Sequence, residues 1–174
     1  MNRTAWTAIV ALGLVQFQKD SCSTELREAP VMKFVGIVVE EAGESARKAY
    51  LMSVSIDLEA RVVTYDGVQK AQYRKCDDDM RICIWESQIT FAVPKDWSLG
   101  VSRWKFREVD FRVIDCHGSL ERESPSCLIE AIHARGVNPV SYYVYSPLRG
   151  LTAFRVYMSG VGGQLVPVSF ARTE

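Results

Sequence analysis

Apolar residues recur at every second position through much of this chain, and no segment of ordinary length carries a 3.6-residue repeat instead. Val109, Phe111 and Val113 alternate with Asp110 and Arg112. Further upstream, Met52, Val54, Ile56 and Leu58 alternate with Ser53, Ser55 and Asp57. A period of two sends one set of side chains to a core and the other to water, the pattern of a half-buried strand. Turn residues interrupt these runs about every 8–12 positions. The expected fold class is therefore all-β: an antiparallel β-sandwich or barrel of about ten short strands.

Several local expectations follow. Residues 31–40 are apolar at odd and even positions alike, as in a central or sandwich-core strand. Residues 41–48 are polar and read as a loop. Asp66-Gly67 predicts a two-residue hairpin turn, because its second position accepts positive φ. Residues 84–93 read as one strand with Trp85, Ile89, Phe91 and Val93 on a single face. Trp104 and Phe106 are even-numbered whereas Val109 begins an odd-numbered run, which predicts a β-bulge near Arg107 and Glu108. A hairpin spans 142–158, turning through Pro147 and Gly150. Pro167 has no N–H to donate, which predicts that the last strand, 165–170, lies at a sheet edge.

The N-terminus has a different character. Arg3 is followed by an uncharged, mostly apolar run from Ala5 to Val15. That is shorter than the roughly 20 residues needed to span a bilayer and matches the core of a signal peptide. Small Ser21 and Ser23 place the cut after Ser23, giving a leader over 1–23 and a single β-rich domain over 24–174. Lys19, Asp20 and Ser21 before Cys22 do not form the small-residue box of a lipid anchor, so no stable membrane anchor is expected after leader removal. The expected location is periplasmic or extracellular.

Of five cysteines, such a cut leaves Cys76, Cys83, Cys116 and Cys127. Four allow three connectivities, and proximity favours Cys76–Cys83 with Cys116–Cys127, two staples suited to an oxidising compartment. A zinc site is the rival, but six- and ten-residue spacings lack the tight knuckles zinc uses.

Chemistry is sparsely signalled. With 21 basic and 21 acidic residues the formal net charge is zero, so nothing marks a nucleic-acid partner or an anionic membrane surface. Asp115, His117 and Ser119 have the residue types of a hydrolase triad, yet crowd around one disulfide loop without a nucleophile elbow. His133 reads as an exposed or hydrogen-bonded side chain at a strand end. The run Asp77-Asp78-Asp79 lacks the spacing of a calcium loop and reads as a solvated turn. No cofactor motif is present. Tyr143 and Tyr145, taken as the outward pair of their strand, with Arg149 and Arg155 beside them, form the candidate binding surface. The function expected is a non-enzymatic domain binding a protein or glycan partner. The alternatives are a small hydrolase or metal-dependent enzyme using the Asp115/His117 loop, or a lipid or small-ligand carrier barrel. Expression with the leader intact, followed by intact mass measurement, is expected to return a chain beginning at Thr24; retained Met1 would refute the leader.

Overall fold

The computed structural model describes residues 31–42, 46–97, 101–118, 125–134, 140–160 and 163–173. The leader, Ser119 and Arg135 lie outside them. Twelve strands and no α-helix occupy the described residues: β1 (Val31–Ala42), β2 (Ala46–Asp57), β3 (Val62–Tyr65), β4 (Gln69–Gln72), β5 (Met80–Trp85), β6 (Thr90–Pro94), β7 (Arg103–Phe106), β8 (Val109–His117), β9 (Ser126–His133), β10 (Ser141–Ser146), β11 (Gly150–Ser159) and β12 (Leu165–Arg172). Ten form one antiparallel sheet in the order β4-β3-β2-β1-β12-β11-β10-β9-β8-β7, and β5 pairs with β6 alone.

The sheet curls around the β5–β6 hairpin without closing into a barrel. Tyr65 on β3 donates its hydroxyl to the Glu86 carboxylate at 3.0 Å, while Phe106 on β7 meets the Trp85 ring at 6.3 Å. Trp85 and Glu86 are adjacent in the chain, yet β3 and β7 are eight spacings apart in the sheet. At about 4.8 Å per spacing, a flat sheet would separate them by about 38 Å. Only a strongly curved sheet brings both onto one hairpin. Ile84, Ile89 and Phe91 of that hairpin segment are fully buried. They fill the concave space that a carrier barrel would leave for a ligand.

One transverse row explains how the core is built. By strand register, Gly36, Phe170, Phe154, Tyr143, Ile129 and Val113 lie side by side on the concave face. Phe154 and Phe170 stack at 4.8 Å, and Phe91 of the hairpin meets Tyr143 at the same distance. Gly36 is small for a reason: a Cβ there would sit 2.7 Å from both Phe170 Cδ1 and the Ser169 carbonyl oxygen.

Several expectations need correction. The 84–93 run is a hairpin, not one strand. Glu86 ends β5, because its carboxylate accepts from the Gln88 N–H at 2.9 Å and from Ser87 Oγ at 3.1 Å, and its own N–H reaches the Ile89 carbonyl. No bulge sits at Arg107 and Glu108. These two residues turn between β7 and β8, Arg107 at φ 56°, and the parity flip is that reversal. Residues 41, 42 and 46–48, read as loop, are instead paired strand in β1 and β2. Pro167 does not place β12 at an edge, for β12 lies between β1 and β11. The β1–β12 register ends at the Ile37–Ser169 pair, before Pro167, so its missing N–H interrupts no bond to β1 there. At Asp66-Gly67 both residues have positive φ, as a tight hairpin turn requires.

Cys76 pairs with Cys83 and Cys116 with Cys127, with Cα separations of 5.8 and 4.0 Å. The second pair is directly opposed across β8 and β9. Gly36→Ala is expected to lower unfolding free energy by about 1–3 kcal/mol through overpacking against Phe170, measurable by urea denaturation. An unchanged midpoint would show that the aromatic row adapts.

Candidate functional site

Of the loop named in the alternative enzyme reading, Asp115 and His117 lie among the described residues and Ser119 does not. An irregularity between Val113 and Asp115 lets β8 continue through His117, so Asp115 and His117 share a face. Their Oδ2 and Nε2 lie 3.0 Å apart with side chains 57% and 84% exposed. An ion pair this open gains little, because water screens it. Asp115 also accepts from the Cys116 N–H at 2.8 Å, which orders the strand end. His133 is half-buried, and desolvation alone holds its pKa below the ordinary histidine value. The acidic turn is answered by cations: Asp77 by Arg107 at 2.9 Å and Asp78 by Lys75 at 3.8 Å. Among the described residues no three His, Cys, Asp or Glu side chains converge to hold a metal.

Of the expected binding surface, the arginines stay outside and the tyrosines do not. Tyr143 and Tyr145 are 1% and 0% exposed. They pack on Phe91 at 4.8 and 5.9 Å, so it is Tyr142 and Val144 that face outward. Alternation could not decide this, because both faces of β10 carry apolar or aromatic residues. Arg149 lies in the turn before β11 and Arg155 on its outer face, about 20 Å apart along an extended chain, so the two do not form one patch.

What the convex face does present is a second transverse row. Register aligns Arg103, Arg112, Glu130, Tyr142, Arg155, Ser169, Ile37 and Leu51 across eight strands. Arg112 and Arg103 oppose each other directly, a repulsive arrangement relieved where Arg112 Nη2 meets the buried Glu130 carboxylate at 2.6 Å. Among the described residues, Arg103 and Arg155 have no carboxylate partner. The other end of the row is aliphatic: Leu51 is 70% exposed and Ile37 59%, flanked on β1 by Val35 and Val39. The sequence signal was there, in the doubly apolar 31–40 run. It suggested burial on both sides, whereas Met32, Phe34 and Val38 go in while the odd-numbered β-branched residues remain out.

A second concavity, about 280 Å³, opens beside the Cys76–Cys83 disulfide. Its walls include Leu58, Met80, Arg61, Arg81 and Lys95. Arg81 owes its position to a register shift between Met80 and Ile82 in the β5–β6 ladder, which no sequence pattern announces. Nearby, Trp85 lies between the guanidinium groups of Arg74 and Arg107, 5.0 and 4.8 Å from its ring centre.

With these surfaces in view, comparison with known proteins supplies no relative: no protein-family model, curated protein or solved structure matches this chain.

Burial also sets the behaviour of three tyrosines. Tyr73, whose hydroxyl donates to the Asp57 carbonyl at 3.2 Å, is pushed up to about 12 by desolvation, with Asp57 adding to it. Desolvation likewise raises Tyr65, helped by the Glu86 charge, and Tyr143. Each phenol binds its proton more tightly folded than unfolded. Their contribution is whole below the ordinary value near 10 and is lost as pH climbs through the folded values. Unfolding free energy should therefore decline above about pH 10, and Tyr73→Phe should make that decline shallower. A decline of unchanged slope in Tyr73→Phe would show that its phenol contributes nothing.

Proposed function

We propose that this chain is a non-enzymatic, exported β-domain that binds a protein partner through the convex face of its sheet. The observation that carries the reading is the aliphatic patch of Val35, Ile37, Val39 and Leu51, exposed to solvent on the outer face of the paired strands β1 and β2. Exposed contiguous apolar surface is costly to maintain and marks contact sites. Along the same row Arg155, two strands from Ile37, borders the patch with a positive charge that has no carboxylate partner among the described residues, which fits an apolar surface bordered by acidic side chains. Such an arrangement steers association through charge and holds through apolar burial. A protein partner suits the patch of Val35, Ile37, Val39 and Leu51 better than a glycan does, since sugar faces stack on aromatic rings and the patch itself holds none, Tyr142 lying three strands from Ile37 and Tyr143 and Tyr145 in the core.

The sheet edges favour contact through the face. Both edge strands, β4 and β7, are four residues long and carry Lys70, Arg103 and Lys105, devices that discourage edge pairing. The two disulfides are compatible with an oxidising extracellular or periplasmic location, where a cleaved leader would deliver the chain.

The combined variant Ile37→Thr, Leu51→Thr alters only exposed side chains, puts a compatible hydroxyl pair across β1 and β2 and should keep the wild-type thermal midpoint. Its capture of the partner from a secreted or envelope fraction should fall by about tenfold or more, and wild-type capture should weaken with salt. Equal capture by variant and wild type would remove the convex face as the binding surface.

A further inference from the structure

We propose that the groove beside the Cys76–Cys83 disulfide is a binding site for a small organic anion with an apolar body. The site is separate from the convex face and does not depend on the reading given above. Its lining carries four cations, Arg61, Lys75, Arg81 and Lys95, against two carboxylates, Asp77 and Asp78. Asp77 is engaged by Arg107 from outside the groove, and Asp78, almost fully exposed, meets Lys75 at 3.8 Å in an open pair screened by water. Arg61, Arg81 and Lys95 therefore face the groove with no carboxylate partner among the described residues.

The local backbone is built around these cations. The shift between Met80 and Ile82 inserts Arg81 as an extra residue in the β5 strand, and a bulge of this kind re-aims a side chain. Arg81 Nη2 then donates to the Lys95 carbonyl at 3.3 Å. A neutral acceptor orients the guanidinium and leaves its charge available. The Lys95 N–H is in turn held by the Asp79 carbonyl at 2.8 Å, which fixes the open end of the β5–β6 hairpin. Arg61 adopts φ 56°, a conformation unusual for a residue with a Cβ, and its carbonyl is tied by the Tyr73 N–H at 3.0 Å. Between the cations the walls are apolar: Leu58, Met80, Ile82 and the disulfide. A volume of about 280 Å³ is at the small end for organic ligands. Apolar walls with a few converging charges suit a ring or short aliphatic body bearing one sulfonate, carboxylate or phosphate group, which arginine engages through paired N–H donors.

The test uses anilinonaphthalene sulfonate as the anionic probe and phenylnaphthylamine, the same ring system without the sulfonate, as its neutral counterpart. Titration of the full processed chain should show saturable one-to-one binding of the anionic probe. Amide shifts should be confined to residues 58–61, 73–83 and 95. Arg81→Gln combined with Lys95→Gln should weaken binding by about tenfold, as should removing the sulfonate. Ile37→Thr with Leu51→Thr should leave it unchanged, so failure at either surface is read independently of the other. Absence of saturable binding, equal affinity for the two probes, or amide shifts centred on the convex face would each overturn the proposal. Should the Arg81 and Lys95 variant fail to fold, the wild-type amide map and the probe comparison decide alone.

Discussion

The architecture depends on one packing arrangement: a two-stranded hairpin enclosed by a sheet that bends around it. Phe91 on the hairpin touches Phe111 on β8 and both Tyr143 and Tyr145 on β10. Tyr65 reaches the same hairpin from the far side through Glu86. Without the enclosed hairpin the concave face would expose a row of phenylalanine and tyrosine rings, and without the curl the hairpin would have one covered face at most. A lone two-stranded hairpin is marginal in water, so each part supplies the other with its hydrophobic contact. Gly36 is the point where this mutual fit leaves no room for a methyl group.

The same curvature accounts for what the convex face looks like. A sheet lined by its own hairpin has its inner side chains committed to the core, and whatever is apolar on the outer side stays in solvent. On β1 that outer side carries Val35, Ile37 and Val39, with Leu51 opposite Ile37 on an otherwise polar β2, while on β7, β8 and β11 it carries arginine. The convex row thus runs from cationic to greasy along a single line of register. The groove at the Cys76–Cys83 staple belongs to a different part of the molecule, the open end of the hairpin, and shares no residue with the aliphatic patch.

Much of the strand content was legible from alternation alone, because half-buried strands such as β2 and β8 show contrasting faces. The Asp66-Gly67 turn, the β10–β11 hairpin and both cysteine pairings could likewise be read from local chemistry. Legibility failed where contrast vanished. On β10 both faces are apolar or aromatic, and parity alone gave no means of choosing Tyr142 over Tyr143. In the 84–93 run the break at Glu86 depends on a side chain folding back onto its own turn, which an odd-numbered apolar pattern conceals. Pro167 was a sound guide to a missing hydrogen bond and a poor guide to sheet order, because the β1–β12 ladder simply stops short of it. The groove was invisible, since a one-residue bulge and long-range pairing assemble it.

One feature of the topology bears on how such a chain comes to be folded. The β1 strand completes the middle of the sheet only by pairing with β12, so Gly36 meets Phe170 near the opposite end of the chain. Contacts this distant in sequence are slow to form. Until the final described strand has emerged, a chain made from its N-terminus has two separate half-sheets and an uncovered aromatic row. Connectivity alone therefore holds back completion of the sheet until β12 is made, so the last strand is the one that joins the two halves.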